Sequence, residues 1–315
     1  MSGNVTLDVG RSRFVVVHYH VFKNGGSTLE SVLKREFGEG FTALHGSGDD
    51  SILSGEDLAE FLRQHPYISA VSSHHLRYPK PAPSKTVIFD CCFLRHPLDR
   101  LMSVYTYFRG IDSHDGLCRR ARRQDPREFM EQTLKESPHL MSDVQVNLLA
   151  NGGAFVRPAN ERDLDRATEI FCDMALPGLV DMFSESLVVA EYFLRPAFPG
   201  IRLEHSPQNV SRKPKRRQVA ASQQMLEAEL VDLWGVDLYA DVSRLNQFDL
   251  ELYRRAQSEI RRRLFLVPDL DERLTDFASR CASLTAARRA PENEDSSEDS
   301  PVPQQVAAAR FQAPS

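Results

Sequence analysis

The stretch RFVVVHYHVFKNGGSTLESVLKREF, residues 13 to 37, constrains the fold more than any other part of the chain. RFVVVHYH is a continuous apolar run of the kind buried on both faces of a parallel sheet. Gly25 and Gly26 then make a turn, and Leu29, Val32, Leu33 and Phe37 recur at helical spacing. Strand, glycine turn and helix bring backbone amides and the positive end of a helix dipole to one point, a geometry suited to an anion. The amides of Gly26, Ser27 and Thr28, the charge of Lys23 and the two hydroxyls together predict a phosphate cradle. Lys23 precedes the glycines, however, whereas a nucleotide-hydrolysing P-loop carries its lysine after them.

The rest of the chain alternates strands with helices. Further strands are predicted over residues 67–73 and 85–95, with a short fourth near 177–182. Ser54 caps a helix that has Asp57 three residues on and ends before Pro66, and Pro97 opens another. Helical stretches follow around 126–136, 139–150 and 163–174. Ser184 is expected to cap the next helix, with Phe183 and Val188 as a hydrophobic staple, and a last pair spans 219–233 and 246–266. This order implies a three-layer, P-loop-like α/β domain with a mostly parallel central sheet flanked by helices. The domain is expected over 12–286, after a leader at 1–11. From residue 287 the chain is acidic and rich in Pro and Ser, and is read as a disordered tail.

Composition excludes several classes. A net charge of −5 and a pI near 6.1 argue against a general nucleic-acid binder. Five cysteines are an odd number without zinc-type spacing, and Cys91-Cys92 lie in an apolar run, as buried thiols of a reducing compartment would. The N-terminus lacks the apolar core of a signal peptide, and no stretch reaches the roughly 18 apolar residues of a membrane span. A cytoplasmic protein without a transmembrane segment is expected.

The segment His20-Val21-Phe22-Lys23-Asn24-Gly25-Gly26-Ser27-Thr28-Leu29 resembles the 5′-phosphosulfate loop of sulfotransferases that use 3′-phosphoadenylyl sulfate (PAPS). It is most similar to the carbohydrate branch related to heparan sulfate 2-O- and 6-O-sulfotransferases, whose loop reads His-Ile-Pro-Lys-Thr-Gly-Gly-Thr-Ser. Phe22 and Asn24 replace its proline and threonine, and neither change removes a charge. FLRHPLDRLMSVYTYF, residues 93–108, is similar to the same family's 3′-phosphate motif; the resemblance gives Arg95 and Ser103 to that phosphate, while Arg100 is read as a surface or packing arginine. LEHSPQNVSRKPKRR, residues 203–217, resembles the late Asn-Val-Ser-Arg segment, which would bring Ser211, Arg212 and Lys213 to the nucleotide. The likeness covers roughly residues 13 to 266.

The resemblance implies transfer of a sulfuryl group from PAPS to an acceptor hydroxyl, on a carbohydrate or glycoconjugate, with adenosine 3′,5′-bisphosphate as product and no metal requirement. Lys23 would stabilise the leaving oxygen. A base belongs at the carboxyl end of a neighbouring strand, and VSSHHLRYP puts His74 and His75 there. The family register favours His75; His20 is read as loop support, and Arg77 as either an acceptor-steering or a surface charge. Gln145 of DVQVNLLANGG matches a further family segment, and RRARRQDPR, residues 119–127, is read as a solvated basic face. The alternatives are a tyrosyl or phenol sulfotransferase, a catalytically silent nucleotide-binding protein, and an ATP-dependent kinase. The kinase is disfavoured because Gly-Ser-Thr stands where Gly-Lys-Ser/Thr is needed.

Overall fold

The computed structural model describes residues 12–48, 51–153, 157–206, 219–289 and 309–310. Five strands, β1 (Arg13–Tyr19), β2 (Phe41–His45), β3 (Ala70–Ser73), β4 (Thr86–Leu94) and β5 (Leu176–Leu179), form a parallel sheet in the order β5-β4-β1-β3-β2. A two-residue strand, β6 (Ala309–Arg310), pairs in parallel beyond β2. The chain leaves β1 through α1 (Gly26–Phe37) to the outer β2, then returns through α2 (Gly55–Gln64) to β3 beside β1. It next crosses to β4 on the other side of β1. Strand order therefore reverses at β1, and the carboxyl ends of β1, β3 and β4 flank one crevice, where open α/β sheets place their ligands.

Helices α3 (Pro97–Gly110), α4 (Gly116–Arg123), α5 (Pro126–Glu136), α6 (Val144–Ala150), α7 (Glu161–Asp173) and α8 (Phe183–Leu194) precede a C-terminal run of four. These are α9 (Val219–Trp234), α10 (Val236–Leu245), α11 (Gln247–Phe265) and α12 (Leu270–Arg289). The main core fills around the sheet, with Val15, Val17, Val71, Cys92 and Leu94 buried. A second cluster joins Leu98, Leu101 and Tyr105 of α3 to Phe129 of α5 and to Leu230 and Trp234 of α9. Among the described residues, no helix is long and apolar enough to cross a membrane. Cys91 and Cys92 are buried free thiols.

Local signals translate directly where they are strong. Ser54 and Asp57 form a reciprocal capping box on α2, and Pro97 is the first residue of α3. Elsewhere tertiary packing decides. FTALH becomes β2, unanticipated because five residues after a glycine-containing turn carry little periodicity. Helix α12 runs to Arg289, past the residue where composition places the start of the tail. The segment after Trp234 is a separate helix, α10, divided from α9 by Gly235. Helix α8 begins at Phe183 with Met182 as N-cap, so Ser184 is not the cap. Its hydroxyl meets His205 Nε2 at 3.2 Å instead, and it is Ser186 Oγ that accepts the Leu179 amide at 3.0 Å.

Helices α6 and α11 cap each other. Asp249 accepts the Gln145 and Val146 amides at 3.0 and 2.7 Å, while Asp143 Oδ1 accepts the Phe248 and Asp249 amides at 3.0 and 2.9 Å. Burial, and then the Asp249 charge, push the Asp143 carboxyl up to about 7 against the bonds it accepts. The folded state thus holds this proton more tightly than the unfolded chain. Its contribution to stability is complete below the ordinary carboxylate value of 3.8 and is lost as pH rises toward 7. Asp143→Asn keeps an oxygen for both amides, and is expected to gain about 2–3 kcal/mol on wild type between pH 5 and 8. Denaturant titrations at the two pH values measure this, and a stability difference independent of pH would refute it.

Candidate functional site

The turn after β1 places its residues through two demanding glycines. Gly25, at φ +76°, lies in the left-handed region, and an added Cβ would meet the Phe183 ring at 3.1 Å. At Gly26 an added Cβ would lie 1.7 Å from His20 Nε2, so only glycine lets that imidazole rest against the start of α1. The Thr28 and Leu29 amides both donate to the Gly25 carbonyl, at 3.1 and 3.2 Å. Gly26 and Ser27 are left as the leading helix donors without intrahelical partners. Ser27 is exposed, whereas the Leu29 side chain is in the core and its amide is spent within the turn. Leu29 therefore shapes the cradle and has no group left to meet a nucleotide.

Asn24 is likewise internal. Its Nδ2 donates to the Phe93 carbonyl at 2.8 Å and to Gln145 Oε1 at 2.7 Å, so it braces the loop instead of facing a ligand. Gln145, fully buried, also accepts the Arg95 amide at 3.0 Å and donates to the Arg95 carbonyl at 2.9 Å. One amide side chain from α6 thus locks the loop to the end of β4. Phe22, which replaces the proline of the family loop, packs against Tyr107 and Phe108 of α3 with ring centroids 5.1 and 6.1 Å away. Arg100 is buried and donates from Nε to the Phe22 carbonyl at 3.2 Å; burial draws its pKa down to about 10, which leaves it charged at neutral pH. Arg100 is thus a packing residue, not a surface one, and it holds the loop that follows β1.

Lys23 and Arg95 come together. Arg95 Nη1 donates to the Lys23 carbonyl at 3.1 Å, and its Nε donates to Asp99 at 2.6 Å. The Lys23 ammonium lies 4.5 Å from the centre of the Tyr107 ring. Burial, and then the Arg95 charge, lower its pKa. Ser103 is buried on α3, one turn along from Asp99. Ser211, Arg212 and Lys213 lie outside the described residues.

Behind the cradle is a histidine network. Glu30 Oε1 accepts from His20 Nδ1 at 2.9 Å and from the Ser72 hydroxyl at 2.7 Å, and Ser72 Oγ in turn meets His18 Nδ1 at 2.9 Å. Burial raises the Glu30 pKa, but the His20 and Ser72 bonds outweigh it and hold the carboxyl at about 2. The imidazoles of His18 and His20 stack at 4.9 Å, and those of His20 and His74 at 3.6 Å. The ligand atoms of His18, His20 and Glu30 all lie within 4.8 Å of one another, a spacing that admits a metal ion. Hydrogen bonds already join them, however, and His20, three residues before Lys23, rests against the positive end of α1, a field that opposes a cation. The donor set fits a hydrogen-bond network better than a metal centre.

His74 and His75 differ in tautomer. His74 Nδ1 lies 3.0 Å from the His20 carbonyl, which can only accept, so the proton is on Nδ1 and Nε2 keeps its lone pair. Burial, and then His20, hold its pKa down at about 4, which keeps it neutral at pH 7. His75 Nδ1 accepts the Gly46 amide at 2.7 Å, which puts the proton of the neutral ring on Nε2. Arg77 donates to the carbonyls of His74, Leu76 and Gly152 at 2.6, 2.9 and 2.9 Å, and so clamps the histidine turn. Much of the basic strip is tied internally as well, with Arg120 on Glu136, Arg127 on Glu131 and Arg122 on the Ile111 and Ser113 carbonyls.

Sequence reasoning missed Glu30, Asp99, Asp249 and Tyr107. Asp99 had a signal, four residues after Arg95 at the start of a helix. Glu30, four residues after Gly26, had one only once His20 was known to lean on that glycine. Asp249 had none, being 104 residues from Gln145.

No family model matches the chain. Among curated proteins, it is similar to an uncharacterized protein of Archaeoglobus fulgidus, 22% identical over 248 residues that span 78% of this chain and 96% of that protein.

Proposed function

We propose that the chain is a sulfotransferase of the kind its motifs resemble, moving a sulfuryl group from PAPS to a hydroxyl of a carbohydrate or glycoconjugate. The observation that carries this reading is the meeting of Lys23 and Arg95, 72 residues apart in sequence, at one crevice beside a helix N-terminus. Two cationic groups on separate motifs suit a substrate with two separate phosphates. Asp90, the carboxylate a kinase reading would need, is committed to Tyr78, Lys80 and the Ala175 amide at 2.9, 2.7 and 3.0 Å.

PAPS supplies an activated sulfuryl group on a phosphate leaving group and carries a second phosphate on its ribose. Lys23, with the Gly26 and Ser27 amides, stabilises the charge that develops on the departing oxygen. Arg95 and Ser103 hold the 3′-phosphate. In the transfer, a bond forms from the acceptor oxygen to sulfur as the bond from sulfur to the leaving oxygen breaks; the electron pair departs with the nucleotide. The hydroxyl proton goes to His74 Nε2, which has the lone pair that His75 Nε2 lacks. This moves the base from the residue favoured by motif register to its neighbour. The reading includes a cytoplasmic site of action, which the buried free thiols Cys91, Cys92 and Cys118 suit.

Thermal-shift titration tests the donor assignment. Adenosine 3′,5′-bisphosphate is expected to stabilise the protein strongly and ADP weakly, and equal stabilisation would overturn it. Lys23→Ala and Arg95→Ala should each weaken bisphosphate binding by roughly 10- to 100-fold. A transfer assay with labelled PAPS over glycans, glycolipids and tyrosyl peptides identifies the acceptor; transfer to tyrosyl peptides alone would replace the carbohydrate reading.

A further inference from the structure

The hydrogen-bond network under the cradle has a single polarity. Glu30, ionised, only accepts. The Ser72 hydroxyl hydrogen is donated to it, so Ser72 Oγ must accept from His18 Nδ1–H, and His20 Nδ1–H must donate to the carboxylate. Three donors, His18 on β1, His20 just after it and Ser72 on β3, are thereby oriented by one carboxylate on α1. His20, whose tautomer Glu30 sets, is the residue on which His74 rests: the rings stack at 3.6 Å, and the His20 carbonyl accepts a hydrogen bond from His74 Nδ1–H at 3.0 Å.

We propose that Glu30 is a positioning residue for the proton-accepting histidine, holding His20 in the orientation that supports His74 and supplying the negative charge that the His74 imidazolium needs when it forms. The proposal rests on the reading of His74 as the base. Its logic is that of a carboxylate behind a catalytic imidazole, with one difference: the carboxylate reaches the base through a stacked second imidazole instead of a direct bond.

Among the described residues, the charges that face His74 come from four elements. Glu30 on α1 favours its protonated form, His20 after β1 and His45 on β2 oppose it, and Arg77, within its own turn, donates to the His74 carbonyl. Glu30 is the one anion among these, so its removal is expected to lower proton affinity at His74. A weaker base then slows the proton-transfer step without touching the groups that hold the donor.

The test uses the full-length protein with Glu30→Gln and Glu30→Asp. Histidine ring resonances followed by NMR titration should show the His74 midpoint falling by about half a pH unit or more in Glu30→Gln. Glu30→Asp, which keeps the charge but withdraws it from His20, should shift it by less in the same direction. In the transfer assay Glu30→Gln should lower kcat by roughly tenfold or more, with the KM for PAPS within about twofold and the acid limb of the pH profile moving with the NMR midpoint. An unmoved His74 midpoint in folded Glu30→Gln overturns the proposal. If that variant does not fold, an unmoved midpoint in Glu30→Asp overturns it equally. Should no acceptor be sulfated at all, the function reading fails, while the NMR arm still decides whether Glu30 governs His74.

Discussion

His74→Ala is expected to reduce sulfuryl transfer by roughly 10²–10⁴-fold while leaving stabilisation by adenosine 3′,5′-bisphosphate within about twofold of wild type. The expectation follows from hydrogen-bond direction. A general base needs an unshared pair aimed at the acceptor proton. His74 has one on Nε2 because its Nδ1 donates to the His20 carbonyl at 3.0 Å. His75 has its Nδ1 lone pair engaged by the Gly46 amide at 2.7 Å, and its other nitrogen carries the hydrogen. His75→Ala should therefore act mainly on the Gly46 turn, with a loss of tenfold or less. Steady-state rates of the two variants separate the cases. A collapse in His75→Ala with near-normal turnover in His74→Ala would return the base to His75, and would mean that the Gly46 amide lets go when the acceptor binds.

Gly26→Ala carries the largest expected effect on the fold. Its Cβ would stand 1.7, 2.1 and 2.3 Å from three atoms of the His20 ring. That ring has nowhere to go: Glu30 holds Nδ1 at 2.9 Å, and the rings of His18 and His74 stack on it. Either the first turn of α1 moves or the histidine network breaks, and both leave buried polar groups unpaired. A destabilisation of more than about 3 kcal/mol is expected. Gly116→Ala, where an added Cβ meets nothing within 4 Å, should be close to neutral and serves as the control. Adding His20→Ala to Gly26→Ala should cost clearly less than the sum of the two single changes, because each relieves what the other strains. Strict additivity in denaturant melts would show that the two residues do not press on one another.

Conserving the cradle geometry thus depends on two kinds of information, and they were not equally visible. The strand, the glycine pair and the first helix could be read from residues 13 to 37, because hydrophobic period, turn chemistry and capping act over a few neighbouring residues. The same holds for Pro97 opening α3 and for the Ser54 box. Asn24 shows the limit: its place in the motif suggested a ligand, yet its amide is turned inward to Phe93 and Gln145. Leu29 in the same motif closes the turn and fills the core.

The chain order alone determined that a parallel α/β sheet would form and that its first turn would gather positive charge, since both follow from local pattern and from the handedness of strand–helix–strand connections. Tertiary structure decided which partners those charges meet. Strand register set Ser72 opposite His18, and so built the path to Glu30. Packing of α6 on α11 brought Asp249 to the amides of Gln145 and Val146. The protonation geometry of two adjacent histidines was settled by backbone groups 54 and 29 residues away, at His20 and Gly46. Hydrogen bonds have direction, and a linear sequence does not record which way they point.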